Sequence, residues 1–318
     1  MFSVIIPIYN KADYLHNSIL SVINQSFPDF ELILVNDGST DNSINIISNI
    51  SDHRITIINQ ENLGASAARN RGAIESKYEY LTFLDADDWW HPDFLTELVN
   101  LIFKFPDAIL YGTNYYYIRR GKRYIEYKGL PRNFHSGYID YISVYGKSYC
   151  APINCSFVAV KKISFLENGG FCFFLHFGED FDLWVRLSLI GNIAYLNKPL
   201  SYSNQDVNLN NRAIGGYKLY RPENHFIFNL SYLQPYEQQL PSLKRLLDGL
   251  RVRSLIPYYL SGSYSSELLE VLSLVDFKLQ PPFYQFVYRF PLWSVKLFFT
   301  IKRLGSRAKH IIYRMKVL

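Results

Sequence analysis

Two carboxylates one residue apart, Asp85 and Asp87, with Asp88 adjacent, stand where the apolar run Tyr80 to Leu84 ends. Hard oxygen ligands of this kind suit Mg²⁺ or Mn²⁺ held by few protein groups and completed by substrate phosphates, so a divalent ion here implies a phosphorylated ligand. Asp37, in the turn Asn36-Asp37-Gly38-Ser39, can accept from an N–H donor such as the edge of a base. Tyr9, in Pro7-Ile8-Tyr9-Asn10, offers a flat face on which a ring can stack. Base, metal and phosphate together point to a nucleotide. Two further clusters carry charge: Arg69 closes the stretch Asn62-Leu63-Gly64-Ala65-Ser66-Ala67-Ala68-Arg69-Asn70, and Gly178-Glu179-Asp180 sets two acids at the start of a helix-like run.

These groups need a scaffold that gathers them. The runs Phe2 to Ile6, Phe30 to Val35 and Tyr80 to Leu84 are short, apolar and β-branched or aromatic, as buried parallel strands are, and helix-length stretches lie between them. In an open α/β sheet, ligands bind in the crevice outside the carboxyl ends of the strands, so the clusters that follow these runs converge on one place. After Asp180, the residues Phe181, Trp184, Val185, Leu187 and Ser188 recur at helical spacing, and Asp182 and Arg186 stand four apart as an expected surface pair.

The segments PIYN, NDGSTD, NLGASAARNRG, FLDADDWWHPD and GEDFDLWVRL, in this order and at these spacings, resemble the family 2 glycosyltransferases, over residues 1 to 205. The resemblance implies a GT-A fold, an α/β architecture with a Rossmann-like, mostly parallel sheet, and a UDP-sugar donor. Pro7 and Tyr9 would frame the uracil, Asp37 would accept from its N3–H, and Arg69 would lie near the base or the diphosphate. Asp85 would contact the ribose, and Asp87 would be the principal ligand of Mn²⁺ or Mg²⁺, bridging to the diphosphate. Asp180 would be the general base, with Glu179, one residue away, left open. Displacement at an anomeric carbon needs a carboxylate to take the acceptor proton. Relatives often carry Tyr-Arg-x-His where this chain has Tyr202-Ser203-Asn204-Gln205, which puts any metal or phosphate contact from that loop in doubt.

Each cluster also has a purely structural reading. Asp37 to Asp41 would serve as a turn with Thr40 or Asp41 capping the next helix. Asp87, Asp88 and Asp93 could be first-turn acids of a helix with Pro92 inside its start, and for Asp88 and Asp93 that reading is preferred. Arg69, on the helical stretch Ser66 to Ile74, could make a surface ion pair, Tyr9 could be core, and Glu179 and Asp180 could merely complement a helix dipole.

At 318 residues and 48% hydrophobic, the chain accommodates a catalytic domain over 1–215 and a mainly helical region over 216–318. No signal peptide is evident after Met1, so the catalytic part is expected in the cytoplasm. Cys150, Cys155 and Cys172 suggest free thiols rather than disulfides, and with His176 they match no familiar zinc spacing. A strand pair is expected from Tyr115–Ile118 and Tyr124–Tyr127 around Arg119 to Lys122, further strands at 154–160 and 192–196, a mobile loop from Lys198 to Gly216, and helices at 242–250 and 266–274.

Nine of the 33 Lys and Arg residues lie beyond Asp276, after which no acid occurs, leaving 24 basic against 28 acidic residues in the rest. Interleaved aromatic and aliphatic residues, from Phe283 to Met315, make this a basic amphipathic tail that either lies on anionic lipid or packs on protein, the same domain or a second copy in a homo-oligomer. No recognised nucleic-acid module accompanies the charge, so nucleic acid is not an expected partner. The reading is an inverting, metal-dependent transferase working on a lipid-linked saccharide acceptor in polysaccharide biosynthesis, peripheral to the inner face of the membrane, adding one residue per encounter because a Gln-x-x-Arg-Trp motif is missing. The alternative is a catalytically silent UDP-binding or scaffolding relative. An oxidoreductase is disfavoured because no Gly-x-Gly-x-x-Gly follows the first strand, and a P-loop is absent.

Overall fold

A computed structural model describes residues 1–208 and 219–301. It divides into two units, Met1–Phe226 and Ile227–Leu318. The first unit is built in chain order from β1 (Phe2–Ile8), α1 (Ala12–Ile23), β2 (Phe30–Asp37), α2 (Ser43–Ser48), β3 (Ile55–Gln60), α3 (Ala65–Glu75), β4 (Tyr80–Phe83), β5 (Trp89–Trp90) and α4 (Phe94–Lys104). It continues through β6 (Ala108–Arg119), β7 (Lys122–Tyr124), β8 (Ser136–Ile139), α5 (Tyr141–Ser148), β9 (Val158–Lys161), α6 (Lys162–Glu167), α7 (Glu179–Ser188) and β10 (Asn192–Asn204).

The sheet is mixed, in the order β3-β2-β1-β4-β9-β6-β10-β5, with β7 beside β6 and β8 beside β10. Strands β3, β2, β1 and β4 are mutually parallel, in a register that runs from Phe2↔Phe30 to Ile8↔Asn36 and onward to Asp37↔Gln60, so they end along one edge. The even-numbered residues Phe2, Val4, Ile6 and Ile8 face a core shared with Leu15, Ile19 and Val22 of α1 and with Phe94, Leu95 and Leu98 of α4. Helix α3 covers the opposite face through small residues. A Cβ at Gly72 would lie 2.6 Å from Cγ2 of Ile5, so only glycine lets the helix come this close. Pro7 is tolerated in a central strand because pairing with β4 has ended by Ile5, and its missing N–H is not called on there.

Three local expectations are corrected. The hairpin after β6 turns at Arg120 and Gly121, which both have positive φ (53° and 65°), so the return strand is Lys122–Tyr124 rather than 124–127. Asp206 accepts from both of their N–H groups, at 2.6 and 2.8 Å, and fixes the turn there. The stretch from Lys198 to Asn204 is not loop but the second half of β10, paired with β6 on one side and with Trp89 and Trp90 on the other. Pro199 sits at a register shift where its lack of an N–H is harmless, and Tyr202 is sandwiched between Trp89 and Tyr116, ring centroids 5.4 and 5.5 Å away. Residues 209–216 of the expected loop, and the tail from Lys302 to Met315, lie outside the described residues. Finally, Asp182 and Arg186 do pair at 2.7 Å, but Asp182 is buried and Arg186 also donates to the carbonyls of Asn168 and Gly170, which pins the loop before α7.

The second unit is helical: α8 (Gln234–Gln239), α9 (Pro241–Ser254), α10 (Ile256–Ser261), α11 (Ser265–Ser273) and α12 (Pro282–Arg289), then a helix over 292–301. Its core encloses an ion cluster in which Arg251 reaches both oxygens of Glu237, at 2.7 and 2.6 Å, and Asp248 at 3.1 Å.

Candidate active site

The loops after β1 and β2 are stitched to each other. Asn10, held at φ 51°, accepts from the N–H groups of Thr40 (2.8 Å) and Asp41 (3.2 Å). Asp41 in turn accepts from Ala12 N–H at the start of α1 (3.0 Å) and Ser43 N–H at the start of α2 (2.9 Å), so one carboxylate caps two helices. Asp37, almost fully buried, accepts from Gln60 Nε2 (2.8 Å), Leu63 N–H (2.9 Å) and Gly64 N–H (2.9 Å), which ties the loop before α3 to the end of β2. A carboxylate has about four lone-pair sites, so one acceptor site remains beyond these three. Tyr9 is not core: its side chain is 45% exposed at the rim of this cradle.

The carboxylates after β4 sit in the same edge. Asp87 pairs with Lys11 Nζ at 2.5 Å. Asp88 is buried and accepts from Asn204 N–H of β10 at 2.8 Å, with Ser156 as a further hydrogen-bond partner. It is therefore not a first-turn acid: β5 intervenes before α4, and Asp93, the residue ahead of that helix, accepts from the Ser26 hydroxyl instead of capping. Burial pushes the Asp88 carboxyl well above the usual range, with the charges of Asp87 and Asp85 adding to it. Asp87 is raised too, by burial first, with Lys11 opposing and Asp85 reinforcing. Asp85, Asp87 and Asp88 thus form an acidic cluster whose cations are Lys11 and Arg69, and its oxygen atoms are of the type that suits a hard divalent ion. Among the described residues no group of three or more His, Cys, Asp or Glu is arranged to hold a metal by itself.

Arg69 connects this cluster to the acids of α7. It is 4% exposed and donates to Asp85 Oδ1 at 2.6 Å and to Glu179 Oε1 at 3.3 Å, while its guanidinium lies 5.3 Å from the Phe171 ring. The surface ion pair considered for Arg69 is thus replaced by a buried strut between two carboxylates. Next to it, Asn70 takes both backbone groups of Phe171, donating to its carbonyl at 2.7 Å and accepting from its N–H at 2.9 Å.

Gly178 begins α7 in the left-handed conformation (φ 82°), and a Cβ there would meet Phe226 Cδ1 at 2.2 Å. Phe226, whose N–H donates to the Phe177 carbonyl at 3.0 Å, and Phe181, 4.9 Å away ring to ring, form an apolar floor. At the start of the same helix Asp180 is pushed up to about 7, chiefly by burial and then by the charge of Glu179, with the Phe181 N–H and Arg69 opposing. Tyr141 and Tyr145, themselves raised by burial, share its field. Glu179 is committed to Arg69, whereas the Oδ1 of Asp180 accepts only locally, from the N–H of Phe181 at 2.7 Å.

Residues 3–160 match the sequence profile of Glycosyl transferase family 2. The chain belongs to that family. Glycosyltransferase GlyA of Streptococcus pneumoniae serotype 4 is 34% identical over 206 residues, which is 62% of this chain and 30% of that protein. An uncharacterized glycosyltransferase of Haemophilus influenzae is 45% identical over 105 residues, 32% of this chain and 42% of its own. This chain therefore spans less than half the length of either. An uncharacterized glycosyltransferase of Rickettsia typhi is 27% identical over 67% of each chain. Residues 1–349 of S. aureus TarS, crystallised with UDP-GlcNAc, share the fold with a TM-score of 0.72 over 96% of this chain and 92% of that one, at 17% identity. That likeness establishes the GT-A fold.

The structure brings Tyr9, Asp37, Arg69, Asp85, Asp87 and Asp180 to one end of the sheet, as the sequence suggested, with Pro7 half-buried in the strand behind them. It adds Lys11, Ser156 and Tyr145, which sequence reasoning passed over. Lys11 follows the first motif directly and could have been flagged as the nearest cation to an acidic cluster; Ser156 and Tyr145 carry no local signal.

Proposed function

We propose that this chain is an inverting, metal-dependent glycosyltransferase that moves a sugar from a UDP-sugar to a glycan hydroxyl on a lipid-linked acceptor in polysaccharide biosynthesis, acting at the cytoplasmic face of the membrane. The observation that carries this reading is the gathering at one end of the sheet of Tyr9, the carboxylates Asp85 and Asp87 and, linked to Asp85 through Arg69 and Glu179, the carboxylate Asp180 at the start of α7. The UDP-GlcNAc bound to TarS supports UDP as the nucleotide.

In this mechanism Tyr9 stacks on the uracil and the remaining acceptor site of Asp37 takes its N3–H. Asp85, oriented by Arg69, meets the ribose. Asp87, with Asp85 beside it, would hold the divalent ion, which when bound supplies positive charge against the diphosphate. Asp180 receives the acceptor proton as the acceptor oxygen approaches the anomeric carbon from the face opposite UDP. A base poised near 7 is half-ionised at neutral pH and still basic enough to matter. Arg69 holds Glu179 as an ion pair and so leaves Asp180 to the acceptor.

The test is UDP release from a panel of UDP-sugars with Mn²⁺ and saccharide acceptors, followed by NMR of the product. Acceptor-dependent release with inversion is expected. Retention at the anomeric centre overturns the displacement, full turnover in excess EDTA overturns the metal, and UDP binding without turnover on any donor points to the silent relative.

A further inference from the structure

The unit Ile227–Leu318 carries an apolar stripe that its own fold leaves open. Trp293, Leu297 and Ile301 recur every four residues through the helix over 292–301 and are 70%, 52% and 60% exposed, and Phe290, which ends the preceding helix, is 52% exposed. Residues four apart lie on one side of a helix, so this is a single face. The other side is committed inward: Val287 and Val295 are fully buried, and Phe283 and Phe286 pack against Phe298 at 5.9 and 5.8 Å. Three large side chains on one solvated helix side, with exposed Phe290 just ahead of them in the chain, form the kind of patch that marks an interaction surface.

Charge says what covers it. Beyond Asp276 the sequence holds nine Lys and Arg and no acid, and Lys296 is exposed within the stripe's own helix. Among the described residues no helix is long and apolar enough to cross a membrane. A helix that is apolar on one side, basic around it and bears an exposed Trp is suited to the headgroup region of an anionic bilayer.

We propose that Phe290, Trp293, Leu297 and Ile301 form a docking surface for an anionic lipid bilayer, with the basic residues supplying the electrostatic part of the attachment. The inference adds a location to the proposed transfer onto a lipid-linked acceptor, but it stands on different residues. The test uses the full chain and the double variant Trp293→Glu/Leu297→Glu, whose sites are exposed and whose fold is checked by thermal melting. Both are sedimented with vesicles of phosphatidylcholine alone and of phosphatidylcholine mixed with phosphatidylglycerol. Wild-type protein is expected on the anionic vesicles only, falling off as salt shortens the screening length, with the variant bound about tenfold or more weaker. Equal partition of the two proteins, salt-insensitive binding to neutral vesicles, or concentration-dependent self-association of wild type that the variant abolishes without any vesicle binding would each overturn it, the last in favour of a second copy. UDP release with a soluble acceptor should be the same for both proteins, so failure of the transferase reading shows up separately.

Discussion

The crevice has two walls built on opposite principles. Along the ends of β1 and β2, polar groups satisfy one another: Asp37 takes three donors, Asn10 bridges to two N–H groups of the neighbouring loop, and Asp41 caps two helices. At the start of α7, a carboxylate instead has one local hydrogen bond and a like charge beside it. The first arrangement resists rearrangement and suits recognition. The second keeps a proton acceptor poorly solvated, which costs stability but raises basicity. Binding and chemistry are thus divided between a satisfied wall and a strained one.

The comparison breaks first at Asp180. Asp180→Asn should lower kcat by on the order of 10² to 10⁴ with UDP affinity nearly unchanged. The wild-type kcat should rise with pH through about 7, since the ionised form is the base. Stability should move the other way. A carboxyl raised from 3.8 in the unfolded chain to about 7 binds more protons when folded, so stability is full below pH 4 and is lost as pH rises to about 7. Melting temperatures of wild type and Asp180→Asn should accordingly diverge across that window, the variant gaining relative to wild type. A pH-independent difference would remove desolvation as the cause.

Arg69→Met tests the strut between the walls. It leaves Asp85 and Glu179 without their cation, which should cost about 3 kcal/mol in stability by denaturant titration. Loss of a positive charge that holds Asp180 down should also move the acid limb of the kcat profile above its wild-type position. An unshifted limb would make Arg69 purely a folding residue. Next in size, Asp87→Ala should weaken UDP binding about tenfold or more in Mn²⁺ and little without it, by isothermal titration; equal weakening in both conditions would take the metal away from Asp87. The smallest effect belongs to the satisfied wall, where Asn10→Ala should cost about 1 kcal/mol and change kcat less than any of the others. A large kcat loss there would mean the stitching does more than hold the loops.

How much was legible beforehand follows the same division. The cradle was readable because its residues are contiguous in short motifs that each follow an apolar strand, and a turn's chemistry is local. The buried strut was not, since Glu179 lies 110 residues from Arg69 and nothing in an alanine-rich helix announces a distant carboxylate. Asp88 looked like a first-turn acid because Pro92 and Asp93 follow it, whereas its partner comes from the end of β10. The second half of that strand was itself hidden: Lys198, Pro199 and the serines after it have poor strand propensity, and only burial between β6 and β5 overrides it. Phe226 offers no clue from sequence that it fills the space a side chain at Gly178 would need.

The two-point grip of Asn70 on the backbone of Phe171 spans 101 residues with the donor–acceptor pattern of a single sheet rung. Between those two positions lie β4 to β9 and the carboxylates Asp85 and Asp87, so the grip holds the loop before α7 against α3 across that whole segment. Replacing Asn70 with an apolar residue of similar size would leave the peptide unit of Phe171 without both partners and loosen the joint between the helix that carries Arg69 and the loop that leads to Glu179 and Asp180.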